Sequence, residues 1–290
     1  MKPLITEPSL VLDMPEDVYH ADPVEGGSLS YTGMKELLKS PAHYRHYVDE
    51  PRVEKPAFDA GHIVHALVLG TPLNVTEIPL SVLASNGAAS TKAAKEFIAE
   101  ARLDGLIPVK ASEMDPLREI AEAVLAYEPS RALFEQDGPA EVSMFAPDPE
   151  SGVWIRGRAD KLATVNDETV LVDLKTTLSA DPQEFNRKAI AAFRYYLQAT
   201  VYTNLWHWLD PDRPRTEMLF VAVSKTAPHL VSVNRVDWVY EDIGETHMRR
   251  AIDRYQAGIE TGEWPGYAPI IHDATCPSWL MEDDEEEIEI

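Results

Sequence analysis

The chain has 290 residues, 44% hydrophobic and 26% charged, enough to bury a sizeable core as one large domain or as a core with elaborations. No run of about eighteen apolar residues exists to span a bilayer, and the amino terminus MKPLITEPSLVLDMPEDVYH lacks an apolar signal core. Cys276 is the single cysteine, which rules out an intrachain disulfide and a cysteine-held iron-sulfur cluster; a reducing, cytoplasmic setting with no membrane partner is expected.

In chain order, the first informative element is GHIVHALVLG at 61 to 70, almost wholly apolar and so a buried helix. His65 inside it must find a hydrogen bond or a metal. His62 lies on a similar face, and the spacing leaves open which imidazole points inward. Residues 88 to 128, rich in Ala, Glu and Lys, predict a helical excursion, and EVSMFA carries Glu141 into a strand. The stretches from Val153 to Thr164 and from Thr169 to Thr176 read as strands around a turn at Asn166-Asp167, an antiparallel hairpin. FRYYLQATVYTNLWHWL predicts a helix with a stripe of Leu197, Val201, Leu205 and Trp208, and with Gln198 and Tyr202 four apart on another face. TEMLFVAVSK and HLVSVNRVD follow as strands, and a helix from about Tyr240 to Ile259 closes the fold. The pattern predicts an α/β fold, a central mixed sheet with helices on both faces. It also predicts one elaborated domain over 1–280, with a helical N-terminal part at about 28–130, a core at about 134–265, and a disordered acidic tail at 281–290.

The chemistry is concentrated in GRADKLATVNDETVLVDLKTT, where Asp160, Asp173 and Lys175 form an Asp…Asp-X-Lys pattern. Side chains two apart on a strand share a face, so Asp173 and Lys175 project together while Val172 and Leu174 enter a core. Asp160, near the neighbouring strand, adds a second carboxylate, and hard oxygen ligands of this kind suit Mg²⁺ or Mn²⁺ better than zinc. A metal held there, with Lys175 to orient or help deprotonate a water, suits phosphodiester hydrolysis. A bare D-X-K also occurs as a surface ion pair, so the decision falls to the helices bearing His65 and Gln198.

The formal net charge of −23 opposes a nucleic-acid partner, because phosphate binding rests on lysine and arginine. The last ten residues hold seven acidic side chains and no basic one, which leaves −16 on the rest. Arg156, Arg158, Lys161, Lys175, Arg187, Lys188 and Arg194 gather around the candidate segment in sequence. Tyr31, Tyr44 and Tyr47 are read as helix packing, with base stacking as the sharper alternative.

Taken in order, LSYTGMKELLKSPAHYRHYV at 29–48, G-x-x-x-H ending at His65, GRAD ending at Asp160, DLK at 173–175 and Q-x-x-x-Y at 198–202 resemble the PD-(D/E)XK nuclease superfamily. Within it the resemblance is to the RecB-like branch, most closely to the exonuclease VIII (RecE-type) nucleases of phages and prophages. It implies a PD-(D/E)XK core with helical N-terminal elaborations, and metal ligation by His65, Asp160, Asp173 and the Leu174 carbonyl, with Glu141 as an additional acidic contributor. Lys175 would be the catalytic lysine beside Asp160 and Asp173, with Gln198 and Tyr202 supporting it. Ala159 stands where many members have proline, and Asp173 where others have glutamate. The implied activity is Mg²⁺-dependent digestion of linear double-stranded DNA from its ends, 5′ to 3′, by a ring-shaped homo-oligomer working with a RecT-type annealing protein; Mn²⁺ would substitute. An endonuclease, a single-strand exonuclease and a non-catalytic DNA-binding subunit on the same fold are the competing readings.

Overall fold

The computed structural model describes residues 4–50 and 56–276. The predicted acidic tail lies outside them. The N-terminal part runs through strand β1 (Ser9–Val11), helix α1 (Glu16–His20), strand β2 (Leu29–Ser30), and helices α2 (Tyr31–Lys39), α3 (Pro41–Asp49) and α4 (Pro56–Leu69). Ser30 and Ser40 each cap a following helix, their side chains accepting from Gly33 and His43 backbone N–H groups. The excursion is helical as expected in α5 (Lys92–Leu103), α6 (Ala111–Ala126) and α7 (Glu128–Phe134). It also holds two three-residue strands, β3 (Val75–Glu77) and β4 (Ile107–Val109), paired in parallel and too short to announce themselves by alternation.

The remaining elements are β5 (Ala140–Pro147), β6 (Trp154–Val165), β7 (Glu168–Thr177), α8 (Pro182–Phe185), α9 (Tyr195–Leu209), β8 (Met218–Ser224), β9 (Val231–Arg235) and α10 (Trp238–Thr261). A π-helical stretch, Asn186–Ala192, leads into α9. The central sheet has the order β1-β5-β6-β7-β8-β9, with β2 also beside β6. β2 on β6 and β7 on β8 are parallel and the other pairs antiparallel, so the sheet is mixed, as expected.

Each face is covered. One cluster joins Leu171, Phe220 and Ile155 of the sheet to Leu37 of α2, Leu197 and Val201 of α9 and Ile252 of α10. The other joins Val172, Leu174 and Val221 to Ile63 and Val64 of α4 and Ile120 and Val124 of α6. Adjacent residues of β7 enter opposite clusters, which accounts for its unbroken apolar run. No described helix is long and apolar enough to cross a membrane.

One irregularity of this sheet positions everything that follows. The β6–β7 ladder runs only from Val165↔Glu168 to Lys161↔Val172. Beyond it β6 continues against β5, and β7 continues against β8, so the strands part at Asp160 and Asp173. The alternation of β6 slips at the same place: Ile155 and Ala159 lie in the α9-side cluster, and so does Leu162 rather than an odd-numbered neighbour. The result is a fork, with one carboxylate on each prong.

Candidate active site

Backbone groups at the fork lose their ladder partners, and a side chain replaces one of them: the Leu174 N–H donates to Asp160 Oδ2 at 2.6 Å. A residue's N–H and C=O point to the same edge of an extended strand, so the Leu174 carbonyl opens toward Asp160 as well. On the α4 side, His65 Nδ1 lies 3.3 Å from Asp160 Oδ2. His62 turns to Glu16 instead, with Nε2 3.4 Å from its carboxylate, which decides between the two imidazoles.

The α9 side supplies the other half. Asp173 is 3% exposed, Gln198 Nε2 donates to its Oδ1, and Lys175 Nζ lies 2.6 Å from its Oδ2. That ion pair lacks hydrogen-bond alignment, and Gln198 Oε1 is buried with no hydrogen-bond partner. The Lys175 ammonium also lies over the Tyr195 ring, 4.7 Å from its centroid.

Two carboxylates, an imidazole and an amine crowded together, Asp173 buried and the other three half-buried, perturb one another. Burial pushes the Asp173 carboxyl up; Lys175 pulls against it, the Asp160 charge adds to it, and the net direction is upward. For Asp160, burial is outweighed by His65, Lys175 and the Leu174 N–H, and its carboxyl is held below the usual range. His65 and Lys175 are both raised: burial works against their charged forms, and the facing carboxylates overcome it. The site therefore holds its cations charged and forces the two anions apart in proton affinity.

His65, Asp160, Leu174, Asp173, Lys175 and Gln198 are thus brought together. Tyr202 is not. It shares a face of α9 with Gln198, but its ring packs on Gly157 of GRAD, where an added Cβ would lie 2.7 Å from the ring. Glu141 is also diverted, its carboxylate paired with Arg158. The basic residues near the site are largely occupied within the fold. Arg156 binds Asp22 and Ser28, Arg158 also donates to the Met14 carbonyl, Lys161 donates to the Gln136 and Gly138 carbonyls, and Lys188 pairs with Glu184. Tyr31 and Tyr44 are buried, as packing requires, whereas Tyr47 is exposed.

Among the described residues no three His, Cys, Asp or Glu side chains stand as a ready cluster of ligands. Instead Asp160 is paired with His65, and Asp173 with Lys175 and Gln198. The donor chemistry nonetheless suits a hard divalent cation: two carboxylates and a backbone carbonyl at one fork, with Gln198 Oε1 and Asp173 Oδ2 short of aligned donors.

Sequence reasoning named Arg194 near the candidate segment but found neither Lys35 beside it nor Tyr195 beneath the lysine. Gly157 was the available signal for Tyr202, since a glycine inside a strand marks a close approach.

A family model described as a PDDEXK-like domain of unknown function (DUF3799) matches residues 30–272. Among solved structures, a protein from Eubacterium rectale described as a "putative exonuclease" is similar, with 12% identity over 88% of this chain and 92% of that one, and a TM-score of 0.55. At that identity the likeness is one of fold. A second structure, described as SSO0001, shares 15% identity over 69% of this chain and 85% of that chain at a TM-score of 0.30, too low to carry an argument. No curated protein matches.

Proposed function

This chain belongs to the PDDEXK-like domain family, within the PD-(D/E)XK superfamily, and from that premise we propose that it is a metal-dependent deoxyribonuclease that digests linear duplex DNA from its ends. Members of the superfamily generally use divalent metal ions, and Mg²⁺, with Mn²⁺ able to substitute, is the ion proposed here. The observation that carries the reading is the fork itself, where Asp160, Asp173 and Lys175 meet although the β6–β7 ladder has ended.

In this reading Asp160, Asp173, the Leu174 carbonyl and His65, which lies beside Asp160, would hold the ion. When bound, a divalent cation supplies an activated water and a counter-charge for the phosphoryl oxygens and the leaving alkoxide. Lys175, kept protonated by its carboxylate neighbours, orients the attacking water and offsets charge growing on the phosphate. Gln198 fixes the rotamer of Asp173, and Tyr202 positions Gln198 by seating α9 on Gly157. The 5′ to 3′ polarity, the RecT-type annealing partner, the ring-shaped homo-oligomer and the cytoplasmic setting rest on the motif order alone and are proposed with it. Glu141, already paired with Arg158, is assigned no ligand role.

The test is to incubate the protein with Mg²⁺, Mn²⁺ or EDTA on linear, nicked circular and closed circular duplex, and on strands labelled at either end. Metal-dependent loss of linear DNA with closed circles spared is the expected result. Cutting of closed circles would make it an endonuclease. Binding without degradation would make it a non-catalytic subunit.

A further inference from the structure

Arg194 is a non-glycine residue held at φ 60°, in the left-handed region, just before the first turn of α9. Such a conformation persists only where surrounding contacts enforce it, and it concentrates at functional sites. The enforcing contact is visible: the Tyr31 hydroxyl donates to the Phe193 carbonyl at 2.8 Å, tying α2 to the bend. The same bend leaves the Phe193 ring 59% exposed.

One turn further along α2, Lys35 Nζ lies 4.9 Å from the centroid of the Tyr31 ring. Its neighbouring carboxylate, Glu36, is already engaged by Lys39. Among the described residues neither Lys35 nor Arg194 has a carboxylate within ion-pair distance. Burial lowers the proton affinity of Lys35 and Glu36 raises it, but the charges of Lys175, Lys39 and Arg194 add to the lowering. Contacts lead from Lys35 over Tyr31, through the Tyr31–Phe193 hydrogen bond, to the Phe193 ring 6.2 Å from the Tyr195 ring that lies under Lys175, so two half-buried cations, Lys35 and Arg194, border the site in a chain of net charge −23.

The geometry points to Lys35, Phe193 and Arg194 as a lip that holds one nucleotide of an unpaired strand next to the scissile phosphate. Lys35 and Arg194 take its backbone phosphate, and the exposed Phe193 ring takes its base. This rests on the nuclease reading of the fork, and it gives that site a grip on the strand that the two carboxylates cannot provide.

The test measures binding of the full-length chain, in EDTA, to a fluorescent single-stranded oligonucleotide across a salt series. Lys35→Met and Arg194→Asn, the latter compatible with a left-handed backbone, are each expected to weaken binding and to flatten the slope of log K against log salt, by about 0.7 at most because the two share one phosphate. Phe193→Ala is expected to weaken binding about fivefold or more with the slope unchanged. Unchanged affinity and slope in all three, with the wild type binding and degrading DNA, overturns the lip and leaves the nuclease reading standing. Loss of binding in the variants, with no hydrolysis by the wild type in Mg²⁺ or Mn²⁺, supports the lip and overturns the nuclease. A wild type that binds no strand overturns the lip, and its hydrolysis of linear duplex in Mg²⁺ or Mn²⁺ still decides the nuclease reading. Lys35→Met lies on a helix surface and keeps the test decisive if Arg194→Asn fails to fold.

Discussion

The two ends of the β6–β7 hairpin obey opposite rules. At the closed end, Val165 pairs with Glu168 across a two-residue turn, the ladder satisfies the backbone, and Ala163 and Val170 fill a dry core. At the open end of the same strands a side chain replaces a ladder bond and four ionisable groups crowd together, Asp173 buried and the other three half-buried. Buried charges gain stability only when their geometry repays desolvation, and often less than an apolar replacement would. The closed end is therefore built for stability, and the open end for chemistry at stability's expense.

The sharpest way to break that contrast is at Lys175. Lys175→Met is expected to slow hydrolysis by about 10² to 10⁴, and, in EDTA, to lower unfolding free energy by about 1–3 kcal/mol because Asp173 is left buried without its cation. Adding Asp173→Asn to it should restore wild-type stability or exceed it while activity stays lost. Urea melts of the single and double variants check this; a double variant less stable than Lys175→Met would mean that the open end is stabilising after all.

Next in size is the prop behind the fork. Gly157→Ala would place a methyl group 2.7 Å from the Tyr202 ring and 2.9 Å from Leu205, and both are buried. A loss of about 1–3 kcal/mol is expected from overpacking, with α9 displaced from β6. If Tyr202 positions Gln198, activity should fall further than the stability loss explains, and Gly157→Ala combined with Tyr202→Leu should recover stability before activity.

The His65–Asp160 pair gives a smaller effect with a pH signature. Asp160 is depressed in the fold, so its contribution is fully present above the ordinary aspartate value of about 3.9 and is lost as pH falls through its folded value. His65 is raised, so its contribution is fully present below the ordinary histidine value of about 6.5 and is lost as pH rises through its folded value. In EDTA the stability gap between wild type and His65→Ala should be widest, at about 1–2 kcal/mol, between those two values and should narrow on either side. A gap independent of pH would show that the imidazole acts by packing alone.

These residues were legible in the sequence to different depths. Asp160, Asp173, Lys175 and Gln198 could be named because motif order and strand and helix spacing act locally, and the hairpin because Asn166-Asp167 sits between two apolar runs. The parting of β6 from β7 could not be read, since the slip in the alternation of β6 at Leu162 shows a local irregularity but not which strand lies alongside. For the same reason the choice of His65 over His62, the diversion of Glu141 to Arg158 and the seating of Tyr202 on Gly157 depend on which element lies opposite. The basic residues near GRAD looked available because their partners, Asp22, Met14 and Gly138, are remote or backbone.

The smallest effect belongs to the closed end, where only stability should respond. Asn166 and Asp167 take φ of 51° and 67°, the positive values that a type I′ turn requires at both central positions. Aspartate pays a steric penalty there that glycine avoids, although glycine gives the unfolded chain more freedom to lose. Asparagine followed by glycine is the favoured pair for this turn; relief of a left-handed penalty of about 1–2 kcal/mol outweighs about 0.4–1 kcal/mol of added unfolded-chain freedom, so Asp167→Gly should stabilise by about 0.5 kcal/mol. Hydrolysis should be unchanged, because the ladder from Glu168 to Val172 insulates Asp173 from the turn. An activity change in this variant would mean that the two ends of the hairpin are mechanically coupled, and the division between a stabilising end and a chemical end would fail.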